Sequence, residues 1–288
     1  MKPLLEVRDL RAGFPGPDGP VEILRGVNLD IAAGEKVALV GESGSGKSVT
    51  ARAVLRLDRD ADLGGRVTLD GTDLLTLPER AMRDIRGARI GLVFQDPLAS
   101  LNPVMTIGWQ IMQPLVIRGV RKKEARRRGI DLLERLGVRD AGRRFDDYPH
   151  QFSGGMRQRV VIAIAVIAEP ALLIADEPTT ALDVRVQAQV LTLLRELADE
   201  RSMSVLLITH DLGIVAGFAD RVVVMRHGAP VEEGQVDAIY AEPKHPYTRG
   251  LLASVPRIDD DPSRRLTTVD DALDADVPVA GALEGGSR

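Results

Sequence analysis

Apolar residues in this chain occur in short unbroken runs, and helically spaced stretches separate them. Within a predicted strand at 35–40, Val37 to Val40 form one such run, which stops at Gly41. Residues 171–175, 205–209 and 221–225 carry three more. Runs of this length without polar alternation predict strands buried on both faces. Residues 48–57, 184–200 and 212–219 instead show helical spacing. Strands alternating with helices predict a mostly parallel sheet covered on both sides. The beginning differs: residues 4–10 and 21–31 flank a Gly/Pro-rich loop at 13–20, which predicts an antiparallel hairpin. Residues 96–167 have no strand pattern. They carry helical stretches at 106–117 and 123–136 and a loop at 142–152, and are expected to form a helical subdomain inserted between two strands of the core.

Composition narrows the classes. The 288 residues suffice for one large domain, or for a domain with a subdomain. The net charge of −4 excludes a strongly basic nucleic-acid binder, so no nucleic-acid partner is expected. With no cysteine, disulfides, zinc–thiolate sites, thiol nucleophiles and iron–sulfur ligation are excluded. The longest apolar run, 160–168, is nine residues, against about 20 for a membrane span. Charge after the first residues also argues against a secretory leader. The chain is therefore expected to be cytosolic and to reach a membrane through a partner. Residues 259–288 hold eight acids against three arginines and few large apolar side chains, which predicts a mobile acidic tail. Seven basic residues lie between Arg118 and Arg128; they suit either anionic headgroups or a solvated helix face.

The most specific chemistry follows the first buried strand. Gly41-Glu42-Ser43-Gly44-Ser45-Gly46-Lys47-Ser48 fits G-x-x-x-x-G-K-[ST], with a predicted strand before it and the helix at 48–57 after it; these residues and Val49 are the candidate nucleotide-binding segment. From the chain's own composition, chance supplies roughly 0.004 such matches. Glycines let successive N–H groups turn toward phosphate oxygens, and the helix N-terminus adds positive potential. Lys47 would reach the β- and γ-phosphates, and Ser48 would ligate Mg²⁺.

A second group completes a site. The strand at 171–175 runs into Asp176 and Glu177, at the sheet end where α/β folds bind ligands. Asp176 could hold Mg²⁺ through its water, and Glu177 could polarise or orient an attacking water. The same pair before Pro178 would also suit a plain helix cap. Ser153-Gly154-Gly155 before Met156 and a helix forms a second anion nest. One triphosphate rarely needs two nests, which points to a dimer where one protomer's nest covers phosphates held by the other.

The order of these motifs resembles the ATP-binding cassette ATPases over about residues 4–240. It runs from the phosphate loop through Gln95, Phe152-Ser153-Gly154-Gly155-Met156 and Asp176-Glu177 to Ala181-Leu182-Asp183 and His210. The resemblance implies an α/β fold: a P-loop NTPase (RecA-like) core at 1–95 and 168–240, with an antiparallel β subdomain and the helical subdomain at 96–167. It implies ATP and Mg²⁺ as ligands, Gln95 as an Mg²⁺-sensing hinge, and Ser153 to Met156 as the signature acting across a dimer. It makes Asp183 the acid that communicates across the interface and His210 the γ-phosphate contact. Phe14 would stack on adenine, or else is a packed hairpin aromatic. The usual signature reads Leu-Ser-Gly-Gly-Gln; here Phe152 and Met156 take the outer places.

Further strings are more particular: Phe94-Gln95-Asp96-Pro97, Ser100-Leu101-Asn102-Pro103, Tyr148-Pro149-His150-Gln151 and His245-Pro246-Tyr247-Thr248. They resemble the ATPase subunits of oligopeptide, dipeptide and nickel importers, with 241–258 as a family extension. That implies a second ATPase subunit, two membrane permeases and an extracytoplasmic substrate-binding protein as partners. The place would be the cytoplasmic face of the membrane. Many members carry a cysteine-ligated iron–sulfur centre, which this chain cannot build.

Overall fold

The computed structural model describes residues 2–179 and 182–254. Ala181 and the acidic segment 259–288 expected to be mobile lie outside the described residues, as do residues 255–258.

β1 (Leu5–Gly16) and β2 (Gly19–Ile31) form the predicted antiparallel hairpin. The loop expected at 13–20 is mostly strand: pairing continues to Gly16 opposite Gly19, leaving Pro17 and Asp18 at the turn. Beyond Gly13, β1 has β2 as its only paired neighbour, so Pro15 and the glycines there interrupt no second ladder. β3 (Lys36–Val40) leads into the phosphate loop and α1 (Lys47–Val54). β4 (Asp62–Leu69) then returns to the free edge of β1, and β5 (Thr72–Asp73) pairs with β4, completing a four-stranded antiparallel sheet. α2 (Glu79–Ile85) precedes β6 (Ile90–Val93).

The next stretch is helical, as its pattern predicts: α3 (Pro97–Ser100), α4 (Ile107–Val116), α5 (Lys122–Arg135), α6 (Ala141–Arg144), a 3-10 turn at Pro149–Gln151, and α7 (Gly154–Val166). Ile107, Ile111 and Leu115 place one buried face of α4 against buried Ala125, Leu132 and Leu133 of α5. Phe145 is fully buried between these helices. It fits because two glycines make its slot. A Cβ at Gly108 would lie 2.0 Å from the Phe145 ring and 2.6 Å from its carbonyl oxygen, and one at Gly129 2.7 Å from the ring. Since backbone as well as ring blocks Gly108, no rotamer relieves the clash. Gly108→Ala is expected to cost about 2–3 kcal/mol of stability, read as a lowered urea midpoint. Gly142→Ala, where an added Cβ meets nothing within 4 Å, is the control that should not lower it.

Three of the seven basic residues around α5, Arg126, Arg127 and Arg128, are ion-paired, while Arg121, Lys122 and Lys123 are exposed. Arg127 and Arg128 bond Glu124, holding its carboxyl down at about 2, and Arg126 makes a two-pronged bond to Asp146 at 2.7 and 2.8 Å.

The second sheet is completed by β7 (Leu172–Asp176), α8 (Val184–Glu200), β8 (Ser204–Thr209), α9 (Leu212–Val215), β9 (Arg221–Arg226) and β10 (Ala229–Gln235). Its order is β10-β9-β3-β8-β7-β6, parallel except for β10. Alternate residues of one strand serve two cores. Leu172 and Ile174 join the cluster under the hairpin, whereas Leu173 and Ala175 join the cluster containing α4, α5 and α7. This two-sided burial explains the unbroken apolar runs. α9 ends short of the predicted 219; Gly217 interrupts the pattern there. α10 (Val236–Ala241) and α11 (Pro246–Ala253) end the described chain, joining the cluster on β3 and β9 through Val236 and Ile239 and through Tyr247 and Leu251. Among the described residues no helix is long and apolar enough to cross a membrane.

Candidate nucleotide-binding site

Four adjacent strands aim their carboxyl ends at one place. The phosphate loop follows β3, His210 follows β8, Glu177 follows β7 and Gln95 follows β6. In open α/β sheets this edge is where ligands bind.

The loop's shape is set by glycine. Gly41, Gly44 and Gly46 have φ of 152°, 82° and 102°. A Cβ at Gly41 would sit 2.3 Å from the Met225 carbonyl oxygen and 2.8 Å from Ser45 Oγ. Gly46 caps α1 with no side chain, which leaves the first-turn N–H groups available to a ligand. Lys47 folds over this concavity. Its Nζ donates to the carbonyls of Gly41 and Glu42, each at 2.8 Å. Burial lowers the Lys47 pKa, although Glu177, Asp176 and Glu42 pull it back up.

Ser48 Oγ donates to Asp176 Oδ1 at 2.9 Å. Asp176 is buried, and burial pushes its carboxyl up against the opposing effect of that hydroxyl. Gln95 lines the same cleft, of about 410 Å³, with Phe14, Ser43, Lys47, Ser48 and Val49. A hydroxyl, a carboxylate and an amide oxygen are hard donors of the kind Mg²⁺ takes. Among the described residues no cluster of three His, Cys, Asp or Glu side chains is placed to hold a metal. A cation here would thus take its remaining ligands from water and phosphate.

Glu177 occupies the left-handed backbone region, φ 48°, which costs a non-glycine residue of order 1 kcal/mol or more. Its N–H donates to the Ile208 carbonyl at 2.9 Å, fixing it against β8. His210 Nδ1 lies 2.8 Å from Glu177 Oε1. The His210 side chain is 60% exposed and that of Glu177 12%, so the pair reaches from the floor of the site to its mouth.

Ser153 to Met156 lie elsewhere. Ser153 caps α7, its Oγ accepting from Met156 N–H at 3.4 Å. A Cβ at Gly155 would meet Val186 Cγ1 at 2.9 Å, so glycine permits the approach of α7 to α8. These residues line a separate cleft of about 630 Å³ that also contains Asp183, whose Oδ1 caps α8 through Val186 N–H at 2.9 Å. The two clefts share no lining residue.

Sequence reasoning missed several residues. Arg52 lines the first cleft, one helical turn beyond Ser48, where i,i+4 spacing signalled it. Ile23 reaches the same cleft from β2, and Arg139, Arg144 and Arg159 line the second. These had no local signal, because their positions depend on packing between elements far apart in sequence.

A glycine-shaped phosphate loop, a lysine folded over it and a hydroxyl–carboxylate pair at the end of a parallel sheet define a nucleotide-binding α/β protein. The chain belongs to the ABC transporter family, whose family model matches residues 24–180. A second model, described as the oligopeptide/dipeptide transporter C-terminal region, matches residues 231–276. A peptide import ATP-binding protein of Brucella abortus (strain 2308) is 56% identical over 91% of this chain and 80% of its own length. The oligopeptide transport ATP-binding protein OppD of Bacillus subtilis (strain 168) is 49% identical over 92% of this chain and 75% of its own. Among solved structures, the ATP-binding cassette MJ0796, dimeric after hydrolysis and bound to ADP and Pi, has a TM-score of 0.73 at 29% identity. That match covers 81% of this chain and 98% of MJ0796. The cassette cbiO1 from Clostridium perfringens has a TM-score of 0.72 at 29% identity, covering 84% and 92%. The chain is accordingly an ATP-binding, ATP-hydrolysing subunit of the ABC type.

Proposed function

We propose that this chain is the ATPase motor of a membrane importer for di- and oligopeptides, working peripherally on the cytoplasmic face. Its partners would be a second, different ATPase subunit, two permeases and an extracytoplasmic binding protein. The observation that carries the motor reading is the division of phosphate-binding chemistry between two clefts of one chain. Neither cleft alone surrounds a triphosphate, whereas two chains placed head to tail would join the Lys47 cleft of one to the Ser153 cleft of the other. The peptide cargo is supported by the match at residues 231–276 and by the relatives' names.

Lys47 and the loop N–H groups hold the phosphates. Ser48, Asp176 and Gln95 would hold Mg²⁺, which when bound offsets phosphate charge. Glu177 accepts the proton of the attacking water, and His210 keeps Glu177 oriented and contacts the γ-phosphate. Ser153, Gly154, Gly155 and Met156 close the site from the partner, while Asp183 lies beside that seam. Met156 lacks the side-chain amide that glutamine brings to this place, so it makes no ribose or water contact through one, while the Ser-Gly-Gly nest for phosphate is intact. Phe14 flanks the base from β1. Closing a dimer from about 1% to 99% takes roughly 5.5 kcal/mol of differential binding. Two nucleotides held by charge-assisted bonds worth about 1.5–3 kcal/mol each suffice. Residues 96–167, a helical subdomain between core segments 1–95 and 168–240, transmit closure to the permeases.

The test uses the complex purified with its permeases and reconstituted with its binding protein. Dipeptide is expected to stimulate ATP hydrolysis several-fold, with nickel ion inert. Stimulation by nickel alone would remove the peptide assignment and leave the motor intact.

A further inference from the structure

The segment after the cassette core touches the phosphate loop itself. The Tyr247 hydroxyl, 205 positions along the chain from Glu42, accepts the Glu42 backbone N–H at 3.0 Å. The carbonyl of that same Glu42 accepts the Lys47 ammonium at 2.8 Å. One residue of the loop is therefore tied on one side to Tyr247 and on the other to the lysine that meets phosphate.

Tyr247 is held firmly enough to matter. Its side chain is fully buried, in a cluster with Ala38 and Val40 of β3, the strand that feeds the loop. The Arg226 guanidinium lies 4.9 Å over its ring. Its own N–H donates to His245 Nδ1 at 3.1 Å, and the Glu232 carboxylate accepts from the N–H groups of Lys244 and His245 at 2.7 and 3.0 Å. The turn into α11 is thus fixed to β10, and the hydroxyl is delivered to the loop from a rigid support.

We propose that Tyr247 is a positioning residue for nucleotide binding: through Glu42 it holds the phosphate loop and Lys47 in their binding shape, so the C-terminal segment sets the affinity for ATP. The inference rests on the reading of this loop as the ATP phosphate site. The loop bends through left-handed glycines at Gly41, Gly44 and Gly46, and each has other conformations open to it. A hydrogen bond that removes those alternatives before ATP arrives lowers the ordering cost of binding.

Tyr247→Phe removes the acceptor and keeps the ring, its packing and the Arg226 contact. The full 288-residue chain is titrated with MgATP by calorimetry, and hydrolysis is followed in the assembled complex. A hydrogen bond of ordinary net strength corresponds to about a five-fold weaker affinity. The expected result is that loss in Kd and a matching rise in KM, with kcat within two-fold of wild type, melting temperature unchanged, and faster exchange of the Glu42 amide by NMR. Unchanged affinity overturns the proposal. So does a joint fall of affinity, kcat and melting temperature, which marks Tyr247 as packing alone. Should the variant not fold, exchange of the Glu42 amide in the wild-type chain decides: protection supports the tie and free exchange overturns it. Failure of the wild-type chain to bind MgATP would instead refute the site assignment beneath the proposal.

Discussion

Glu177→Gln should lower ATP hydrolysis by the assembled transporter about 10³-fold, within the range for loss of a general base, while ATP binding stays within a few-fold of wild type. Glutamine matches the volume of glutamate and keeps an oxygen for the bond now made at 2.8 Å with His210 Nδ1. It cannot accept the proton of an attacking water. The backbone around the residue is fixed independently, by the Glu177 N–H bond to Ile208 and the left-handed φ of 48°. The substitution therefore removes proton transfer without moving the platform. Lys47, Ser48 and the loop glycines still hold ATP, so the variant should accumulate as a closed, ATP-loaded dimer. Single-turnover hydrolysis and sizing in MgATP check both halves. Turnover within ten-fold of wild type would strip Glu177 of the role, and dimer loss with turnover abolished would mean that the carboxylate supports closure rather than chemistry.

The parts of this site that were legible in the sequence are those encoded locally. The phosphate loop is eight contiguous residues whose glycines and lysine do their work within one turn of chain. The strand into Asp176 is apolar at every position because both of its faces are covered, by two different clusters. α4, α5 and α8 appear within a residue or two of their expected bounds, since each has one buried face at helical spacing. β4 was not legible. Its Gly64, Gly65 and Arg66 interrupt the pattern, and because β5 pairs only with Thr68 and Leu69, the residues from Asp62 to Arg66 stay exposed or half-buried. The hairpin end was misread because glycine and proline normally signal a turn, yet here they pair where no third strand needs their N–H groups. The tie from Tyr247 to Glu42 had no sequence signal, because nothing in either segment encodes a contact across 205 positions.

Lys47→Met should weaken MgATP binding about 10²–10³-fold, the loss expected for removing charge-assisted bonds worth about 1.5–3 kcal/mol each. It should do so without lowering the melting temperature of the ATP-free chain. The two halves have one cause. The ammonium is buried, only 5% exposed, and burial lowers its pKa from the ordinary lysine value. The folded chain thus binds that proton less tightly than the unfolded chain. Between the lowered folded pKa and the unfolded one, the unfolded state carries more protons, so this group's contribution to stability rises with pH. Below both values the charge carries its full cost. Its bonds to the Gly41 and Glu42 carbonyls offset part of that cost. Phosphate is the partner that offsets the rest, which is why the lysine is kept where the fold alone disfavours it. Methionine fills the same channel without a charge. Melting the two chains with and without MgATP separates the effects: ATP should raise the wild-type midpoint and leave that of the variant in place. A variant that melts well below wild type without nucleotide would show that Lys47 is chiefly a structural clasp of its loop. A variant that binds within three-fold of wild type would show that the loop N–H groups hold the phosphates alone.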